Sequence, residues 1–277
     1  MTLKTKKWSS APLPFQGQKR KFTDAFREVL KLYPHCDTIV DLFGGSGLLA
    51  RISKDERPDA RVVFNDYDDF SKRVANIPNT NRLLHAFRDV LRDVKKNALL
   101  PDSKKAEILS IIEKKSGYVD YVSVSSSILF SMKYKNTLDG LKASSFYNRV
   151  RISDYDLADD YLNGLEIVKG DYKDIFRRFN GDKNVLWLVD PPYLSTDCTT
   201  YKKSSYWNLK DYLDVLNVLQ DTNFVYFTSD KSSIVELCEW LGEKSPFSGA
   251  KKIVVEEVMN YTTSYKDMMF YKTREGI

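Results

Sequence analysis

Thr38-Ile39-Val40-Asp41-Leu42-Phe43-Gly44-Gly45-Ser46-Gly47-Leu48-Leu49-Ala50 decides how the rest of the chain is read. An apolar run stops at three glycines, Gly44, Gly45 and Gly47, and an apolar stretch resumes at Leu48. A short buried strand, a tight turn and a helix fit this pattern, because glycine takes positive φ freely and lets a backbone approach a ligand closely. The free N–H groups at the helix start then face whatever lies beyond the turn. Arg61 to Asp66 reads as a second strand. Strand, turn, helix and strand in that order open a doubly wound α/β sheet. Upstream, Pro12 to Lys21 predicts a loop, and Phe26, Val29 and Leu30 after Thr23 predict a helix. Downstream, Leu165–Val168, Val185–Asp190 and Asn223–Thr228 continue the strands, with a final pair at Lys252–Val258 and Asp267–Tyr271. Between these blocks the period changes. Phe87, Val90, Leu91 and Val94 have helical spacing, as does Ala106 to Ile112. The expected organisation is an α/β domain formed by residues 1–74 and 161–277, interrupted by a mainly helical insertion at 75–160.

Gly45-Ser46-Gly47-Leu48-Leu49-Ala50 fits a dinucleotide-type fingerprint, and Asp66 lies about 20 residues on, where a carboxylate can hold ribose hydroxyls. The turn alone leaves a nicotinamide cofactor and S-adenosylmethionine open, since both carry an adenosine. The next informative stretch is Asp190-Pro191-Pro192-Tyr193, directly after five apolar residues. Two prolines remove donors and hold the chain extended. The loop falls at the carboxyl end of a strand, where α/β sheets bind ligands. It offers a carboxylate, a free carbonyl and an aromatic face. These suit a planar aminated base, whose exocyclic amine has two hydrogens to donate and whose ring can stack on Tyr193.

Composition narrows the classes. Of 277 residues, 42% are hydrophobic and 29% charged, which supports a packed globular chain. Cys36, Cys198 and Cys238 are widely spaced with no C-x-x-C, which predicts reduced thiols in a cytoplasmic protein and neither a zinc site nor a disulfide scaffold. His35 and His85 are the only histidines, so a histidine-based metal or triad mechanism is not expected. No apolar run reaches the length of a membrane span. The net charge of +5 is mild, but its distribution is not: Lys133 to Ile152 holds five Lys/Arg against Asp139 alone.

Taken together, these residues resemble the Dam-like (D12 class) DNA adenine-N6 methyltransferases. Asp41-Leu42-Phe43-Gly44-Gly45-Ser46-Gly47 is similar to their S-adenosylmethionine motif, and Asp190-Pro191-Pro192-Tyr193 to their catalytic motif. Phe15-Gln16-Gly17-Gln18-Lys19 resembles their N-terminal aromatic-x-Gly-x-Lys segment, although Gln18 replaces a glycine often found there. The resemblance implies a Rossmann-like S-adenosylmethionine-dependent sheet with a helical DNA-recognition insertion, and no metal. It implies cofactor contact for Phe15, Lys19, Asp41, Phe43, Gly45, Gly47, Asp66 and, from Lys169-Gly170-Asp171-Tyr172, for Asp171. It implies catalytic roles for Asp190, Pro191, Pro192 and Tyr193. The basic stretch becomes the expected DNA-reading hairpin, with Phe146, Tyr147, Asn148, Arg149 and Arg151 as contacts to phosphates and bases. Tyr201 and Tyr206 could stack near the base or pack in the core. Lys95-Lys96, Lys104-Lys105 and Lys114-Lys115 read as solvated helix faces.

The implied reaction is methyl transfer to adenine N6 in a specific double-stranded DNA site, by a monomer in a bacterial or phage-infected cytoplasm, alone or within restriction–modification. GATC is a target guess at family level only. RNA adenine and cytosine N4 share the same acceptor logic and remain alternatives. A nicotinamide-dependent oxidoreductase explains the glycine turn but gives Asp190 to Tyr193 no task.

Overall fold

The computed structural model describes residues 7–130, 133–192, 207–260 and 263–274. They form two compact units. The first contains Met1–Ser10, Gln18–Asp68 and Leu162–Ile277, and the second Ala11–Gly17 and Asp69–Tyr161.

In the first unit, β1 (Thr38–Asp41), β2 (Arg61–Asn65), β3 (Leu165–Val168), β4 (Val185–Val189), β5 (Asn223–Ser229), β6 (Lys251–Asn260) and β7 (Thr263–Lys272) build one sheet in the order β3-β2-β1-β4-β5-β7-β6. The first five strands run parallel, and β7 and β6 close the edge antiparallel. This is a Rossmann-like α/β sheet, and it follows from the sequence pattern. β1, β4 and β5 are buried at every residue, as parallel strands covered on both faces must be, so they read as continuous apolar runs.

Side-chain alternation divides those runs between two layers. Val40, Leu42, Val63, Trp187, Val189, Phe224 and Tyr226 join residues of the helices Tyr172–Phe179, Leu209–Leu219 and Ile234–Leu241 in one cluster. On the other face, the ring of Phe227 meets Phe22 and Phe26 edge-on, beside the helix Thr23–Leu30. Each of these large side chains stabilises the fold by about 1.5–3 kcal/mol relative to exposure. β1 and β4, neighbours at the centre, therefore reach their carboxyl ends on a rigid base.

The second unit is helical: Phe70–Ala75, Ile77–Val90, Asp102–Glu113, Tyr121–Ile128 and Leu138–Lys142. Its junctions depend on a buried cation. Arg73 donates through Nε to Asp120 Oδ1 at 3.0 Å, and through Nη2 to Pro14 O at 2.7 Å and Ser123 Oγ at 3.2 Å. Asp120 in turn caps its helix, accepting from Ser123 N. The contact with Pro14 attaches residues 11–17 to this unit, a link with no local sequence signal.

The basic stretch is not a β-hairpin among the described residues. It contains the helix Leu138–Lys142, then an extended segment bridged antiparallel to another loop at Leu99–Tyr147. Among the described residues, no helix is long and apolar enough to cross a membrane.

Candidate functional site

The glycine turn is shaped by its neighbours. Gly47 N donates to Gly44 O at 2.7 Å, which closes the loop after β1. Gly45 and Gly47 sit at φ 54° and 68°, the left-handed region where a side chain is strained. Gly44 has another reason to be glycine. A Cβ there would lie 2.4 Å from Asn65 O and 2.4 Å from the Phe64 ring. The helix Leu48–Glu56 starts directly behind this turn, and Asp41 Oδ2 accepts from its Ala50 N–H at 3.2 Å.

Asn65, which sequence reading passed over, ties three strand ends together. Its amide nitrogen donates to Leu42 O at 3.0 Å and Gly170 O at 3.1 Å, and its oxygen accepts from Gly170 N at 3.1 Å. The loops after β1 and β3 are thus clamped to the end of β2. Asp66 follows, 3% exposed, with its N–H on Val168 O. Asp171 is the N-cap of the helix Tyr172–Phe179 and accepts from Lys173 N at 2.8 Å. Phe43 packs against Tyr172 and Trp207, with ring centroids 5.2 Å away in both cases.

Asp190 stands just past β4, next to β1 in the sheet. Lys19 Nζ lies 2.5 Å from its Oδ2, and the lysine side chain is only 7% exposed. The other oxygen, Oδ1, is buried and has no hydrogen-bond partner among the described residues. Burial pushes the Asp190 carboxyl above its ordinary range, with Lys19 opposing that shift. Burial, reinforced by the charge of Asp190, pushes Asp41 up to about 7. Two carboxyl groups and one lysine thus meet at the carboxyl ends of the two central strands. Pro191 and Pro192 follow in place; Tyr193, Tyr201 and Tyr206 lie outside the described residues.

In the helical unit, Phe15 packs edge-on against Phe70, with centroids 5.9 Å apart. Phe146 is 1% exposed and Asn148 9%. Asn148 also spends its side chain on Val94 O at 2.6 Å. These two are framework, and the partly exposed members of the expected DNA set are Tyr147, Arg149 and Arg151. Phe146-Tyr147-Asn148-Arg149-Val150-Arg151 alternates buried and partly exposed, the period of an extended strand. That alternation was available in the sequence. The Arg149 guanidinium lies 5.7 Å from the centre of the Phe130 ring, which is itself 5.8 Å from Tyr147. Phe130, another residue passed over, is 57% exposed. Arg151 stacks on Tyr155 at 3.9 Å.

A parallel sheet with an antiparallel edge pair, a glycine turn after its first strand and an acid-proline loop after its fourth define a methyltransferase. The chain belongs to the D12 class N6 adenine-specific DNA methyltransferases, whose family model matches residues 15–245. It is also 36% identical to a Haemophilus influenzae protein that carries the provisional name of methyltransferase, over 96% of this chain and 93% of that protein. A nicotinamide-dependent oxidoreductase is thereby set aside.

Proposed function

We propose that the protein transfers the methyl group of S-adenosylmethionine to the N6 amine of adenine in a specific double-stranded DNA sequence. The observation that carries this reading is the unpartnered, buried Oδ1 of Asp190. An orphaned acceptor in a site is costly unless a ligand donates to it. A target amine has the required hydrogens.

The remaining residues fit an adenosine-bearing sulfonium. The turn at Gly44, Gly45 and Gly47 brings backbone close to the ligand, with Asp41 and Phe43 flanking it. Asp66 receives the ribose hydroxyls, and Asp171 lies toward the adenine end. S-adenosylmethionine supplies a methyl already activated by the positive sulfur. The work left to this chain is positioning and electrostatics. Asp190 Oδ1 and the Pro191 carbonyl accept the two N6 hydrogens, which makes the nitrogen more pyramidal and its lone pair more available. Pro192 keeps this loop free of a competing donor. The paired amine cannot reach a donor inside the duplex, so the adenine must flip out, at a cost of a few kcal/mol. Tyr193 is the stacking platform that offsets part of it.

The test is transfer from labelled S-adenosylmethionine to duplex DNA, with N6-methyladenine located by sequencing DNA from expressing cells. Methylation of RNA alone, or N4-methylcytosine as the product, defeats the reading. Asp66→Ala should weaken S-adenosylmethionine binding by on the order of 1.5–3 kcal/mol, because a carboxylate on two hydroxyls makes charge-assisted hydrogen bonds. Calorimetric titration checks this, and unchanged affinity removes Asp66 from the pocket.

Tyr147, Arg149 and Arg151 share one side of an extended segment, and this supports their assignment to DNA. If an arginine touches phosphate only, its alanine variant binds all sequences more weakly and loses roughly one unit of salt slope. If it reads a guanine edge, it costs about 1–3 kcal/mol mainly at the cognate site. Titrations on cognate and scrambled duplexes at several salt concentrations separate the two. No effect from replacing both arginines takes the segment out of the interface. On this reading the enzyme works as a monomer in the cytoplasm, where it meets DNA.

A further inference from the structure

We propose that Lys19 is a positioning residue for Asp190, supplying the counter-charge of its carboxylate and fixing Oδ2 so that Oδ1 is left for the target amine. The proposal rests on the reading of Asp190 as acceptor for that amine. It departs from the cofactor contact that the resemblance implies for Lys19.

The geometry favours the carboxylate. Lys19 Nζ is 2.5 Å from Asp190 Oδ2 and nearly withdrawn from water. A second cation beside a sulfonium is electrostatically unfavourable, whereas a lysine beside two carboxyl groups is favourable. Among the described residues, Asp41 from β1 is a further charged group that acts on this pair. Take Lys19 away and Asp190 is a partly buried acid that keeps the like-charged Asp41 as a neighbour. It then holds its proton to higher pH, and a protonated carboxyl is a weaker acceptor that also points a donor at the site. No proton moves in the role assigned to Lys19.

Lys19→Met and Lys19→Arg separate this from cofactor binding. The acid limb of the kcat–pH profile in Lys19→Met should move up by about one pH unit or more. Activity should drop on the acid side, by up to about tenfold for each pH unit the limb moves, and recover toward the native value at pH 9. Lys19→Arg, which keeps the charge, should stay close to the native profile. S-adenosylmethionine affinity should change by less than about threefold, less than one pK unit's worth of binding.

A second readout needs no activity. A carboxyl whose folded pKa is raised holds its proton longer when folded, so stability is lost as pH rises from its unfolded toward its folded value. The fall in Tm between pH 5 and pH 8, measured without cofactor, should therefore be steeper in Lys19→Met than in the native protein. Adding Asp190→Asn should remove the excess. An unshifted acid limb, an unchanged Tm slope, or a loss of S-adenosylmethionine affinity in place of the shift would overturn the proposal. Asp190→Ala is assayed alongside: if that variant is fully active while the Tm linkage holds, the pairing stands and it is the acceptor role of Asp190 that fails.

Discussion

Asp190→Ala is expected to abolish methyl transfer while leaving S-adenosylmethionine affinity within about tenfold, since in the proposed function its main partner is the amine and not the cofactor. Removing a strong acceptor from a preorganised site costs roughly 3 kcal/mol or more of transition-state stabilisation, a factor above about a hundred. The structure supports the upper side of that range. Among the described residues, Oδ1 is buried without a hydrogen-bond partner, so no other contact among them shares its acceptor capacity. Alanine also removes one of the two carboxyl groups beside Lys19, whose side chain is 7% exposed. Removing one partner of a partly buried ion pair is destabilising, by less than for a fully buried one, so a fall in Tm is expected as well. Asp190→Asn separates the two effects. Its carbonyl still accepts from Lys19, so the fold recovers in part, but it brings an N–H₂ to a place that needs acceptors. Single-turnover transfer measured well below each variant's Tm is the check. Near-native turnover in Asp190→Ala would falsify the acceptor assignment.

How much of this was legible depends on the range of the signal. β1, its glycine turn and β2 form one local unit, and each strand is an unbroken apolar run, so both their existence and their order could be read. Asp190-Pro191-Pro192 is equally local. The pairing of Lys19 with Asp190 is not, because 171 residues separate them and only the closed sheet brings them together. Asn65 looked like one polar residue at a strand end. Its value lies in reaching Leu42 and Gly170, and nothing near position 65 names those partners. Residues 11–17 belong with the helical unit through Arg73, again a long-range contact. The basic stretch is a different case. Charge counting marked Lys133 to Ile152 as a unit and hid the alternation within it, so the buried Phe146 and Asn148 were grouped with the partly exposed arginines.

Gly44→Ala is expected to damage the proposed cofactor site more than replacement of Gly45 or Gly47 does by positive-φ strain. The added methyl would meet Asn65 O at 2.4 Å and two Phe64 ring atoms at 2.4 and 2.6 Å. Real Cβ contacts do not come that close, so backbone must move. The ring belongs to a side chain that is fully buried, and the carbonyl belongs to β2, which is paired on both sides by β1 and β3. Neither can swing aside as a flexible side chain would. Overpacking of this kind costs about 1–3 kcal/mol in stability, and the upper end is expected here. The displacement also pulls Leu42 and Gly170 out of register with the Asn65 amide, because the same residue carries both the clash and the clamp. S-adenosylmethionine affinity should therefore fall at least about thirtyfold, the equivalent of roughly 2 kcal/mol. Phe64→Leu in the Gly44→Ala background tests the cause. It clears the ring contacts but leaves the Asn65 carbonyl where it was, so both Tm and affinity should stay well below native. Full recovery in that double variant would mean that the ring is the whole obstruction and that the Asn65 strand end is softer than its hydrogen bonds indicate.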